Sequence, residues 1–251
     1  MNPGQRQIEL FIYRFLDWFT ACLAWLLFFI YRKNLENPNL DFSSIISDPK
    51  LIQGLLIIPI GWLLLYSIFD KYSDIYRFSR WATLKRTLSI SFFGVVLLFF
   101  TVLIDDTVNI YTTYINPFIR LFALHFFLTA TARLIYLTIS KYRLKNGKVK
   151  YNTLIIGGDK NAVEIYNELQ SKVYGKAHNF IGFIDSNGNS VNHLANEIPL
   201  IGKLSNLSLI IDEMNVEEVI IAIETSEHNK LKNILDVLYD CLLYTSPSPR
   251  D

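Results

Sequence analysis

Four apolar runs, each near the length that crosses a bilayer, lie between residues 11 and 139 and limit what this half of the chain can become. Hydrocarbon offers the backbone no hydrogen-bonding partner. A run of about 20 apolar residues must therefore satisfy its own amides and carbonyls as a helix about 30 Å long. The first run extends from Phe11 to Ile30, apolar apart from Arg14, Asp17 and Thr20 near its start, and is closed by Tyr31, Arg32 and Lys33. It lacks the short apolar core and small-residue cleavage site of a secretory signal, so it is expected to stay as a span. The second runs from Leu51 to Phe69 and contains Pro59, which removes a backbone donor and is expected to kink the helix. The third lies near Leu88 to Ile104 and ends at Asp105 and Asp106. The fourth, near Tyr114 to Ile139, carries Arg120, His125 and Arg133. Arg120 can snorkel from one end, and Arg133 is read as snorkelling toward the other, the alternative being a buried partner for Asp17 or a lipid phosphate.

The near-neutral total charge conceals two opposite halves. Residues 1–150 carry 17 Lys and Arg against 9 Asp and Glu, whereas residues 151–240 carry 6 against 13. The cations of the first half sit at the ends of apolar runs. Twelve of them, Arg6, Arg14, Lys71, Arg77, Arg80, Lys85, Arg86, Lys141, Arg143, Lys145, Lys148 and Lys150, flank one side, and only Arg32, Lys33 and Lys50 flank the other. Positive charge is retained on the cytoplasmic side, which predicts four spans of an inner membrane with both termini cytoplasmic. The lipid bilayer is the expected partner. No nucleic acid is expected, because no basic stripe is interleaved with exposed aromatic residues. The second connection, DKYSDIYRFSRWATLKR, suits either an interfacial segment against anionic headgroups or a simple positive anchor.

From Tyr151 the long apolar runs give way to short alternating elements. The pattern predicts strands at Tyr151 to Ile156, Phe180 to Asp185, Ile198 to Ile201 and Val219 to Ile223. Helices are predicted from Lys160 to Ser171, with Ala162, Ile165, Tyr166 and Leu169 on one face, from Leu204 to Met214, and from about Glu227, with Leu231, Ile234, Leu235 and Leu238 at helical spacing. The unbroken apolar run at 219–223 is that of a strand buried on both faces. Strands alternating with helices imply a parallel sheet. The predicted fold is thus a four-helix transmembrane domain over residues 1–146 and a Rossmann-like α/β parallel-sheet domain over 150–240. The segment Cys241 to Asp251, CLLYTSPSPRD, resembles one translated frame of a transposon-based sequencing adapter. The α/β domain is therefore expected to be truncated near Asp240, within a longer native protein.

Chemistry-bearing patterns are few. The segment LIIGGDKNA has the strand, glycine turn and helix order of a nucleotide-binding unit, in which helix amides meet a phosphate. Gly157 and Ala162 fit the first and last small positions, but Asp159 stands where a second glycine would let a pyrophosphate approach. Gly158, Asn161 and Asp185 complete the candidate binding set with Gly157, Asp185 lying where such proteins hold a ribose. An Asp before Ser-Asn-Gly is also an ordinary turn starter, and a ligand-free scaffold is the favoured reading. The two cysteines form no disulfide framework, no metal-ligand spacing occurs, and His125, His178, His193 and His228 are scattered. No G-x-S-x-G, His–Cys pairing or Glu-x-x-His is present, so no catalytic residue is assigned.

Four spans, a basic exit segment, then NTLIIGGDKNAVEIYNEL, FIGFIDSNG, IPLIGKLSNL and VEEVIIAIE resemble the N-terminal part of the bacterial polyprenyl glycosylphosphotransferases, the initiating sugar transferases of capsule, exopolysaccharide and O-antigen synthesis. The resemblance covers residues 5 to 240. It implies a CoA-binding-type Rossmann-like module, and transfer of a sugar 1-phosphate from a UDP-sugar to undecaprenyl phosphate with Mg²⁺, by catalytic carboxylates in a later domain that no position here matches. It implies no cofactor on the present segment and leaves homo-oligomer formation open. The membrane-bound nucleotide-sugar 4,6-dehydratases are a second family with four spans and a similar module, and a membrane-anchored sensing or assembly module is a third reading.

Overall fold

The computed structural model describes residues 3–39, 41–69, 72, 75–103, 112–185, 192–223 and 228–241. The acidic pair at 105 and 106, the Ser-Asn-Gly turn after Asp185, Glu227 and the segment from 242 onward lie outside the described residues. The chain divides into two compact units, one ending at Lys141 and the other beginning at Tyr142.

The first unit holds α1 (Pro3–Glu36), a one-turn α2 (Phe42–Ile46), α3 (Pro49–Phe69), α4 (Arg80–Leu98) and most of α5 (Thr112–Lys145). Four of these helices, α1, α3, α4 and α5, are long and apolar enough to cross a membrane, which makes this a membrane protein. Phe11, Ile57, Phe93 and Phe127 are each about two-thirds exposed, the arrangement expected where lipid, not water, is the outer solvent. Asp48 starts α3: its carboxylate accepts the Lys50 amide at 2.9 Å, with Pro49 at the first helical position. The helix continues through Pro59 to Phe69. The third span begins eight residues before the predicted Leu88, so Arg80, Lys85 and Arg86 lie on α4 itself. Beyond Leu98 the helix widens into a π-helical turn, Phe99–Leu103.

Small residues let the spans approach. A Cβ on Gly54 of α3 would stand 2.1 Å from Trp25 Nε1 of α1, and one on Gly94 of α4 would stand 2.3 Å from the Trp62 ring of α3. Trp62 also stacks against His125 of α5, with ring centroids 3.6 Å apart. One indole thus joins three helices, and it belongs to a buried core with Trp25, Phe28, Tyr66, Ile90 and Val95.

In the second unit α5 ends where Gly147 adopts φ +67, allowing Lys148 N–H to reach Arg143 O and Gly147 N–H to reach Leu144 O, a glycine-terminated helix end. Four parallel strands follow, β1 (Tyr151–Ile156), β2 (His178–Asp185), β3 (Leu200–Lys203) and β4 (Glu218–Ile221), in the order β3-β2-β1-β4. Helix α6 (Lys160–Ser171) and a 3-10 turn, His193–Asn196, cover one face, where Ala162, Tyr166 and Leu194 pack on Ile155 and Phe183. Helices α7 (Leu207–Glu213) and α8 (His228–Cys241) cover the other, where Ile210, Ile234 and Leu238 pack on Leu154, Ile156 and Ile184. The result is an α/β layered domain of the expected class. Several details differ from expectation: β4 ends at Ile221, two residues before the predicted Ile223, and α7 begins at Leu207, after a 3-10 turn at Leu204–Asn206. β2 starts two residues early and β3 two residues late, Ile198 being buried after the 3-10 turn instead of within a strand. Leu235 is 49% exposed, because the buried stripe of α8 runs through Ile234 and Leu238. All four residues of β4 are only half-buried, since β1 lies on one side and no described strand lies on the other.

Candidate functional site

The sheet order places a change of direction between β1 and β4, where open α/β sheets gather ligands at the strand carboxyl ends. Gly157 sits there. It takes φ +123, and a Cβ would lie 2.3 Å from Ala222 O, so the residue has to be glycine for β4 to pass beside β1. Its amide donates to Ile184 O at 2.9 Å and Ala222 N–H donates to Ile156 O at 2.8 Å, tying three strand ends together at this turn.

The turn is covered by the protein itself. Leu194 N–H donates to Gly158 O at 3.2 Å, and a Cβ on Gly158 would stand 2.4 Å from Asn192 Oδ1. Asp159 is the N-cap of α6, its carbonyl accepting from Ala162 at 3.0 Å, and its side chain makes no cap hydrogen bond. Asn161 is exposed on the first turn of α6, and Asp185 ends β2, paired in register with Lys203 of β3. Gly157 and Gly158 are therefore together at the switch point, with Asn161 and Asp185 placed on the two flanking elements. A diphosphate would need the Gly157 amide and the Gly158 approach, and both are already used. The residues present do not fit a dinucleotide or CoA diphosphate seated as in the glycine-rich fingerprint. The motif's spacing could not reveal this, because Asn192 and Leu194 lie more than thirty positions downstream.

Beside the turn, an open groove of about 380 Å³ lies between α6 and the 3-10 turn, lined by Lys160, Val163, Glu164, His193, Asn196 and Glu197. Burial, with Glu197 as a lesser cause, raises the Tyr166 phenol above its ordinary value. At the opposite end of the sheet His178 Nδ1 lies 2.8 Å from Glu218 Oε2, and the Thr153 hydroxyl donates to the same oxygen at 3.1 Å. His178 is thus a clamp between β2 and β4 across β1, not an isolated histidine. Conserving strand geometry is the chemistry that cluster can do.

The membrane unit holds a second polar cluster. Arg133, 1% exposed, donates from Nε and Nη2 to the two carboxylate oxygens of Asp17, each at 2.8 Å, and from Nη1 to Thr87 Oγ1 at 3.0 Å. Tyr72 donates to Asp17 Oδ2 at 2.8 Å, and the guanidinium lies 4.0 Å from the Tyr66 ring centroid. Arg133 therefore does not snorkel; the pairing with Asp17 is the arrangement formed. Farther along α5, Thr129 shares a hydrogen bond with Thr20 (3.2 Å) and His125 Nε2 shares one with Tyr66 (3.1 Å). The signal was present in the sequence as polar residues four apart, His125, Thr129 and Arg133 on α5 and Thr83, Thr87 and Ser91 on α4, a spacing that puts each set on one helical face.

Among the described residues no group of three or more His, Cys, Asp or Glu side chains could hold a metal ion. The sequence matches a family model described as a CoA-binding domain over residues 67–245, a stretch that takes in two of the four apolar spans as well as the whole described sheet. No curated protein matches the sequence significantly. With well over half of its 251 residues inside that match, the chain belongs to the CoA-binding domain family found in sugar transferases and other polysaccharide-biosynthesis proteins.

Proposed function

We propose that the chain is the membrane and scaffold portion of a sugar transferase that moves a sugar 1-phosphate from a UDP-sugar to undecaprenyl phosphate at a bacterial inner membrane, releasing UMP. The observation that carries this reading is the continuous family match from residue 67 to 245, which runs from membrane helices into the α/β domain without a break. A soluble nucleotide-binding protein has no use for that coupling. An enzyme whose acceptor is a membrane lipid and whose donor is water-soluble does. In this reading both termini are cytoplasmic, and Mg²⁺ and the catalytic carboxylates belong to a domain other than the two described here. The α/β unit serves as a scaffold, its glycine turn holding strands together.

The test is disruption of the gene in its host. Membranes given radiolabelled UDP-sugar should lose the lipid-diphosphate-linked sugar, and the 251-residue chain supplied alone should not restore it. Retention of that product with loss of a 4-keto-6-deoxy sugar nucleotide would assign the chain to a dehydratase instead.

A further inference from the structure

We infer that the turn between α6 and β2, Lys172 to Ala177, is a membrane-interface anchor that lays Val173 and Tyr174 against anionic phospholipid. Topology decides where this turn lies. β1 and β2 run parallel from the same end, Tyr151 pairing with His178, so the chain arriving from α5 and the chain returning from α6 enter the sheet side by side. The two segments touch: a Cβ on Gly147 would stand 3.1 Å from both Lys176 Cβ and Lys176 O. Gly147 is two positions past the end of α5. The apolar part of that helix, Ile115–Lys145, has 31 residues and is about 46 Å long, against about 40–45 Å for a bilayer with its headgroups. Its end, and Lys176 packed beside Gly147, therefore come at the headgroup boundary.

The turn is held in shape by its own backbone. Gly175 N–H donates to Lys172 O at 2.8 Å, Ala177 N–H donates to Tyr174 O at 2.9 Å, and a Cβ on Gly175 would lie 2.3 Å from Gln170 O of α6. Two successive turns leave Val173 63% and Tyr174 43% exposed, with Ala177 buried behind them. Apolar side chains already fixed outward lose little ordering entropy when they meet a surface, and a phenol suits the interface, its ring against acyl chains and its hydroxyl in water. Lys172 and Lys176 flank the pair, and the adjoining exit segment, KYRLKNGKVK at 141–150, carries five cations and no acid. Lys172 is held by Glu168 at 2.6 Å, which leaves Lys148 and Lys176 as the residues that report on charge. Each basic residue near an anionic leaflet contributes about fivefold to binding. Continuity with a helix already immersed in lipid singles out the bilayer as the occupant. Five residues, 146–150, tether the sheet to that helix, so the effective concentration of lipid is high and a weak contact suffices.

The experiment places the full chain in phosphatidylcholine nanodiscs doped with phosphatidylglycerol that carries a photoreactive diazirine at the glycerol end of an acyl chain. After irradiation, lipid adducts are mapped by mass spectrometry. Adducts on residues 172–177 should exceed those on His193–Asn196, at the other end of the sheet, severalfold. Equal labelling overturns the proposal, and so does a turn left unlabelled because a second copy or another protein covers it. V173S/Y174S and K148Q/K176Q should each lower the adducts on this turn severalfold, with those on the exposed Phe127 of α5 unchanged, while K148R/K176R should keep them. An undiminished yield in either of the first two variants overturns the proposal, as does a loss in the charge-conserving one. Melting in undoped discs checks the fold. If a double variant does not fold, V173S and K176Q singly carry the test, and no loss in either overturns it.

Discussion

Asp17 and Arg133 form an ion pair in which each side chain is 1% exposed, inside a bundle whose outer surface is apolar. Two parallel hydrogen bonds satisfy the pair, so removing either partner strands the other. Asp17→Ala should cost about 3–5 kcal/mol of stability, and D17L/R133L, which removes both charges, should cost clearly less. Unfolding of the three proteins in detergent measures this; equal losses would mean the pair contributes nothing as a pair. Asp48 offers a gentler case with a pH signature. The Lys50 amide first, and then Lys33 at 3.1 Å, hold its carboxyl below the usual value. A lowered folded pKa means that its stabilisation is present in full above the unfolded value, about 4, and disappears as pH falls through the folded one. Thermal midpoints of wild type and Asp48→Ala should therefore differ at pH 6, by an amount reflecting about 1 kcal/mol of lost capping, and converge only as pH falls below the ordinary carboxylate range. The Asp17–Arg133 pair was legible only as one of two alternatives, because 116 positions separate the partners and a linear reading sees the depth of each but not the face each presents.

Helix and strand packing depends on a few positions where no side chain fits. Gly94→Leu would push against the Trp62 ring, which already stacks on His125. Overpacking of that kind should cost about 1–3 kcal/mol and loosen α3 from α4, read as faster hydrogen exchange in both helices with α1 less affected. In the sheet, Gly157→Ala would place a β-carbon against Ala222 O at a φ that alanine rarely adopts, and a loss near 3 kcal/mol in the α/β unit is expected by thermal unfolding. An alanine variant as stable as wild type would mean the turn has slack to relax. The existence of every strand and helix in this unit was legible from periodicity, and α6 in particular follows its apolar face from Lys160 to Ser171. The ends were not. β2 begins at His178 and Asn179 because they pair with Tyr151 and Asn152, a ladder that polar residues join as readily as apolar ones. The candidate site was half legible for the same reason: Gly157 and Gly158 announce a turn, whereas the cover of Asn192 and Leu194 comes from tertiary packing.

At the scale of the whole molecule, the twelve-to-three division of flanking cations predicts that reporter fusions after Lys150 respond as cytoplasmic and fusions near Asn39 respond as external. The reverse pattern at Lys150 would overturn the four-span topology. The sheet makes a different demand. β1 has a partner on both sides and is buried almost throughout, whereas β4 is half-buried and paired only with β1 among the described residues. Ala222 N–H points toward β1, so by alternation Ile220 does as well, and the amides and carbonyls of Val219 and Ile221 face the open edge. A short, flat edge of Glu-Val-Ile-Ile without a lysine, proline or bulge is a template for pairing with another chain. Residues 142–241 produced alone should therefore self-associate in a concentration-dependent way on size exclusion. Val219→Pro removes an outward amide while leaving the β1 ladder intact, so it should shift the protein toward monomer without lowering its helix content. A wild-type fragment that stays monodisperse and melts cooperatively would show the edge to be covered. A proline variant that associates as strongly as wild type would place the contact elsewhere, on the α8 surface where Leu235 and Tyr239 are exposed.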